Sequence, residues 1–223
     1  RVNAYLGKEY TESEISNEIK NYREVMDLKN CSTYIFKSYD DVLKFTAKQI
    51  SLGKIIGWFQ GKMEWGPRAL GNRSILADPR SKNIREIINL KIKRRENFRP
   101  FAPSILFEDA DEWFENFQDE EPFMSRVLKF KDNKIKLVPS VVHLDGTGRL
   151  QTVKKNDNLL FYNLINSFKS LTGIPIVLNT SFNENEPIVD KPKQAIDCFL
   201  RTDMDLLVMG KNIIYRNEQV KII

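Results

Sequence analysis

The period of apolar and polar positions changes several times along the chain, and each change marks a short element. Thr11 followed by Glu14 has capping-box spacing, which predicts a helix running to about residue 27 after a lead-in at Gly7 and Lys8. Alternation over residues 32–39 predicts a strand, and Asp40 stands as the N-cap of a helix over 41–52 that Gly53 stops. The β-branched run 54–59 predicts a buried strand. Gly61, Gly66, Pro67 and Gly71 then make residues 60–74 a shaped loop. Ser81 caps a predicted helix to about 92, followed by a strand over 102–107 and a short acidic helix over 109–117. Residues 123–130 and 134–142 read as paired strands across Asp132-Asn133. Leu159, Tyr162, Ile165 and Phe168 have helical spacing, predicting a helix over 158–171 that Thr172-Gly173 ends before a strand at 174–178. A helix over 192–201 and strands at 205–209 and 212–215 close the chain. This irregular alternation predicts a mixed α/β layered domain.

At 223 residues the chain holds one large domain, or one domain with a small appendage. The boundary is drawn at residue 40: residues 1–39 are a linker and helix leading in, and 40–223 the domain. The chain opens on Arg1 with a loose start over 1–8, which reads as a piece of a longer polypeptide. An apolar fraction of 41% and a charged fraction of 29% fit a globular protein. No apolar run approaches the ~20 residues that span a bilayer, and the polar opening is no secretory signal. Cys31 and Cys198 lie too far apart for a disulfide framework, so two reduced thiols and a cytoplasmic protein are expected. His143 is the only histidine, with no Cys/His cluster, which argues against a zinc site.

The net charge of +5 matters less than its distribution. Four segments place polar and charged residues beside apolar strands, where sites gather in α/β sheets. In residues 61–74, glycines permit close backbone approach to a ligand, and Arg68 and Arg73 can fork onto phosphate oxygens. The P-loop pattern is absent, and a structural loop whose arginines pair with acidic helices is the competing reading. In residues 91–99, Lys91, Lys93, Arg94, Arg95 and Arg99 face only Glu96. Such a run is either a solvated face or an anion site. Phe98 and Phe101 are expected to anchor it to the core. A nucleic-acid surface would want a wider stripe with stacking aromatics.

The third segment, from His143 through Asp145 to Arg149, could hold an acid–base pair, although residues two apart on a strand need not touch. A satisfied structural histidine is the competing reading, and Arg149 beside two glycines is the better ligand candidate. In the fourth, Asn179, Thr180, Ser181 and Asn183 follow an apolar strand and suit phosphate, ribose or carbonyl recognition, or a plain turn. No nucleophile elbow occurs. What remains is a cation-rich, hydroxyl-bearing site suited to phosphate-ester chemistry.

Taken together, these motifs resemble the C-terminal domain of nodulation-type and antibiotic-tailoring O-carbamoyltransferases. The likeness lies in residues 57–79, 95–104, 143–153 and 178–189, and covers roughly residues 40–215. That domain is YrdC-like, so the resemblance implies a layered domain with a twisted mixed β-sheet flanked by helices. Lys93-Arg94-Arg95 is similar to the YrdC Lys-x-Arg motif, and residues 174–187 to its Thr-Ser-Ala-Asn stretch. The resemblance implies an adenylate-forming carbamoyltransferase: carbamoyl phosphate loses its phosphate to water, and the carbamate formed reacts with ATP, with Mg2+, to give carbamoyl-adenylate and pyrophosphate. An N-terminal domain of the actin-like superfold, earlier in the same polypeptide, would transfer the carbamoyl group to a hydroxyl. It assigns Arg68, Lys93, Arg99 and Arg149 to the phosphates, and Asn179 and Ser181 to the nucleotide- and carbamoyl-binding turn. Arg95, Arg73 and His143 are further candidates. Glu184-Asn185 stand where the family usually carries glycine, so a turn of different shape is expected there. Two readings compete: a basic nucleotide- or RNA-binding module without turnover, and a docking domain active only with its other half. The acceptor hydroxyl and a homodimer are left open.

Overall fold

The computed structural model describes residues 3–222; Arg1, read above as a cut end, lies outside them. The elements in order are α1 (Glu12–Asn21), α2 (Arg23–Leu28), β1 (Cys31–Ile35), α3 (Tyr39–Ser51), β2 (Ile56–Phe59), β3 (Arg73–Ala77), α4 (Ile84–Ile87) and a π-turn (Ile88–Ile92). Then come β4 (Ala102–Leu106), a 3-10 turn (Phe107–Asp109), α5 (Ala110–Trp113), β5 (Leu128–Lys129), α6 (Asp132–Ile135), β6 (Thr147–Gly148) and β7 (Gln151–Val153). The last are α7 (Leu159–Thr172), β8 (Ile176–Ser181), α8 (Pro192–Arg201), β9 (Leu206–Met209) and β10 (Asn212–Arg216).

Eight strands form one mixed sheet in the order β1-β10-β9-β2-β3-β8-β4-β7, with β2/β9 and β4/β7 parallel and the other pairs antiparallel. Helices α3 and α7 pack on each other, α7 reaches β4 and β8, and α8 covers β2 and β9 with α1 beside it. Their apolar stripes explain this: Val42, Leu43, Ala47 and Ile50 of α3 and Phe161, Leu164, Ile165 and Phe168 of α7 are all buried. The YrdC-like expectation, a mixed sheet flanked by helices, is met.

The boundary drawn at residue 40 does not divide the structure. β1 pairs with β10, and Ile15, Ile19 and Met26 join the same core, so the segment before residue 40 is built into the domain. The start is tied down too, with the Trp65 N–H donating to the Ala4 carbonyl at 2.7 Å. Thr11 and Glu14 form the expected capping box. Ser38, not Asp40, caps α3, because its hydroxyl accepts from the Asp41 N–H at 3.1 Å. The helix expected over 81–92 is one α-turn passing into a π-turn.

The hairpin expected over 123–142 is absent. Val138 and Val141 are both fully buried, a spacing of three that suits helical turns and not alternation, and β5 pairs instead with β6. The acidic helix stops at Trp113, since Phe114 is extended. β3 went unpredicted because Arg73 and Ser74 disguise its start, yet all five of its residues are buried.

Candidate functional site

β3, β8 and β4 lie side by side in the sheet, and the site sits where their polar ends meet the flanking loops. A cavity of about 310 Å3 is lined by Arg68, Arg95, Arg99, His143, Arg149, Asn179 and Ser181, with Phe101 and Met124 among its apolar walls. Seven of the nine residues singled out from sequence therefore converge on one cavity. Asn179, Thr180 and Ser181 are the last residues of β8 itself, not of a turn beyond it.

The loop carrying Arg68 takes its shape from Glu64. This buried carboxylate accepts the N–H groups of Leu70 (2.7 Å), Asn72 (2.7 Å) and Arg73 (3.3 Å) through one oxygen. Burial raises its pKa, opposed by those same N–H bonds. Gly71 has φ +107, and a Cβ there would lie 2.2 Å from the Phe161 ring, so only glycine fits.

Arg73 is a correction to the sequence reading. Its side chain is buried and points away from the cavity's lining, its guanidinium 3.6 Å from the Phe59 ring centre. It donates to the carbonyls of Gln60 (2.6 Å), Asn72 (2.9 Å), Gly61 (3.2 Å) and Lys8 (3.3 Å). Burial lowers its pKa to about 10, and its role is to hold the loop's ends together.

Lys93 does not line the cavity either. Its ammonium is buried behind β8 and donates to Ser181 O (2.6 Å) and Oγ (3.3 Å), and to Asn183 O (2.8 Å) and Oδ1 (2.6 Å). Burial, reinforced by Arg95, pushes its pKa down to about 7. Asn183, named in the fourth segment but given no role by the resemblance, accepts from both Lys93 and the Ser181 hydroxyl (2.7 Å). Glu184 pairs with Arg94 (3.1 Å) and Arg201 (2.9 Å), joining the basic segment to α8.

Among the arginines, Arg95 donates to the Asn89 side chain (2.8 Å) and lies 5.2 Å from the Phe101 ring centre. Burial and then Arg99 lower its pKa. Arg99 pairs with Glu96 at the surface (3.1 Å), and Arg149 donates to the Met124 carbonyl (3.3 Å). Phe98, expected as an anchor, is 70% exposed; Phe101 at 3% does the anchoring. His143 does not bond Asp145 directly. Its Nδ1 meets the Thr147 hydroxyl (3.0 Å), which donates to Asp145 (2.7 Å). Burial lowers its pKa, so the imidazole is neutral at pH 7.

Asn179 donates to Ala69 O (3.2 Å), Ser104 Oγ (3.0 Å) and Gln151 Oε1 (3.1 Å). A larger cavity of about 580 Å3 lies beyond Leu70 and Gln151, lined by Tyr5, Glu121, Asn158 and others but by no Lys or Arg. The arginines therefore gather at the smaller cavity and not at the larger one. No group of acidic, His or Cys side chains fit to hold a metal occurs among the described residues. Both cysteines are free and buried, and no helix among the described residues is long and apolar enough to cross a membrane.

Fold and cavity together define a mixed α/β domain with an arginine-lined cavity at the end of its central strands. Residues 47–216 match the family described as Carbamoyltransferase C-terminus, and the chain belongs to that family. It is 52% identical over 178 residues to nodulation protein NolNO of Sinorhizobium fredii, covering 78% of this chain and 26% of that protein. It is 38% identical over 134 residues to a 3'-hydroxymethylcephem-O-carbamoyltransferase of Amycolatopsis lactamdurans, covering 60% of this chain and 25% of that protein. The chain thus spans about a quarter of the length of these two relatives. Full-length HypF, solved in a phosphate- and nucleotide-bound form, shares the fold at TM-score 0.54 and 18% identity, over 82% of this chain and 22% of HypF.

Proposed function

We propose that this chain forms carbamoyl-adenylate from carbamoyl phosphate and ATP, as the activating C-terminal part of an O-carbamoyltransferase. The observation that carries the reading is the convergence of Arg68, Arg95, Arg99 and Arg149 with Asn179 and Ser181 on one cavity, in a chain of this family. The two substrates bring roughly six negative charges, and fixed guanidinium forks offset them as charge shifts between oxygens. HypF, which shares the fold, was solved with phosphate and nucleotide bound, which favours such ligands here.

In this reading water displaces phosphate from carbamoyl phosphate and leaves carbamate. A carbamate oxygen then bonds to the α-phosphorus of ATP while the bond to the β-bridging oxygen breaks, and that electron pair leaves on pyrophosphate. The arginines bind and orient the phosphates. Lys93 acts from behind, fixing Ser181 and Asn183. Neutral His143 offers a hydrogen bond and no charge. None of the residues lining the cavity is a carboxylate, so Mg2+ would be carried by ATP and would supply charge neutralisation at its phosphates.

Transfer to an acceptor hydroxyl is assigned to a preceding domain of a longer polypeptide, as the partial coverage of the relatives suggests. The reduced thiols suit a cytoplasmic protein. The test is carbamoyl-phosphate-dependent ATP–pyrophosphate exchange by the chain. Arg99→Ala and Arg149→Ala are expected to abolish it. Exchange unchanged in both removes the cavity from the reaction, and salt-dependent RNA binding without exchange would favour a binding module.

A further inference from the structure

The basic segment poses a problem that its own residues do not solve. Arg95 and Arg99 both line the cavity, and Arg99 adds to burial in disfavouring the charge of Arg95. Arg94 sits at φ +44, a conformation that a non-glycine side chain adopts only when its surroundings impose it. Something must hold this loop against repulsion before an anion arrives.

Asn89 occupies that place. It is fully buried within the π-turn Ile88–Ile92. Its Nδ2 donates to the carbonyls of Asn97 (3.1 Å) and Arg99 (3.0 Å), and its Oδ1 accepts from Arg95 Nε (2.8 Å). One side chain thus grips the Arg95 guanidinium and the backbone on both sides of the exposed Phe98. The π-turn completes the arrangement. The Lys93 N–H bonds Ile88 O at 2.9 Å, whereas an α-turn would have sent it to Asn89 O. The Asn89 carbonyl is left to accept the Arg95 N–H instead, at 3.0 Å.

We infer that Asn89 is a positioning residue that pre-sets Arg95 and Arg99 for a polyphosphate ligand. It touches no substrate and acts only through the two arginines. This inference rests on the cavity being the phosphate site, but not on carbamoyl chemistry, so inorganic pyrophosphate serves as the probe.

The experiment is calorimetric titration of pyrophosphate into the wild-type chain, Asn89→Leu, Arg95→Ala and the double variant. Asn89→Leu is expected to weaken binding at least 10-fold in the wild-type background and less than 3-fold in the Arg95→Ala background, the non-additivity expected of a residue acting through its neighbour. A general structural defect would cost the same factor in both. Should Asn89→Leu not fold, Asn89→Asp replaces it. That variant keeps an acceptor for Arg95 but sets a carboxylate against the Asn97 and Arg99 carbonyls, and a loss of at least 3-fold that Arg99→Ala erases is expected. Wild-type affinity in the Asn89 variants, or equal losses in both backgrounds, overturns the inference alone. A wild-type chain that binds no pyrophosphate overturns it together with the proposed site.

Discussion

Replacing Lys93 by Met removes the ammonium while keeping most of the side chain's length and apolar contact. Asn183 O, at 2.8 Å, then loses its donor inside the fold, while Ser181 O loses one donor at 2.6 Å and keeps the Asn183 N–H at 3.0 Å. The Ser181 hydroxyl and Asn183 Oδ1 keep each other at 2.7 Å. A buried acceptor left without a partner costs about 1–3 kcal/mol, a penalty that falls on Asn183 O. Against this stands the cost of the buried cation, whose pKa falls from 10.5 to about 7. A lysine depressed in the folded state means that the unfolded chain binds more protons across pH 7 to 10.5, so wild-type stability rises with pH through that window. At about 1.4 kcal/mol per unit, and with the amine already half neutral at the lower end, the wild-type advantage over Lys93→Met grows by roughly 2 kcal/mol from pH 7 to pH 9. Urea unfolding of both proteins at pH 7, 8 and 9 measures it. Taking the difference cancels groups common to both, including Cys198, whose thiol burial pushes up to about 12. Parallel pH dependences would refute the argument and return Lys93 to solvent.

Two other substitutions test the loop. Gly71→Ala drives a Cβ to 2.2 Å from the Phe161 ring at φ +107, and a loss of about 3 kcal/mol or more is expected in thermal unfolding. Arg73→Met strips the Gln60 and Gly61 carbonyls of their donor, takes one of two from Asn72 and Lys8, and leaves Glu64 without its nearby cation, costing about 3 kcal/mol or more of stability in urea. At temperatures where it is folded it is expected to bind pyrophosphate like the wild type, whereas a 10-fold loss there would place Arg73 among the ligands.

Long periodic elements were legible in the sequence: α7, α8, β9 and β10 were found within a few residues. Their signals are local. The hairpin failed because the turns over 135–142 imitate a strand where Lys136 stands between Ile135 and Leu137. At the site, residue types that bind anions were visible, but not their access. Arg68 and Arg73 are five apart in one motif, yet one lines the cavity and the other is spent on backbone carbonyls. Only the closing of the loop on Glu64 decides between them. Asn89 carried no sequence signal beyond a polar residue in an apolar helical pattern, since its partners come from a loop that follows it.

The central claim is that this cavity joins a carbamoyl group to AMP. The most direct measurement incubates the chain with MgATP and isotopically labelled carbamoyl phosphate and follows the products by mass spectrometry. A labelled carbamoyl-adenylate accompanied by pyrophosphate, absent in Arg99→Ala and Arg149→Ala, is the expected result. ATP and carbamoyl phosphate that both bind in the cavity yet yield no adenylate and no pyrophosphate would contradict it.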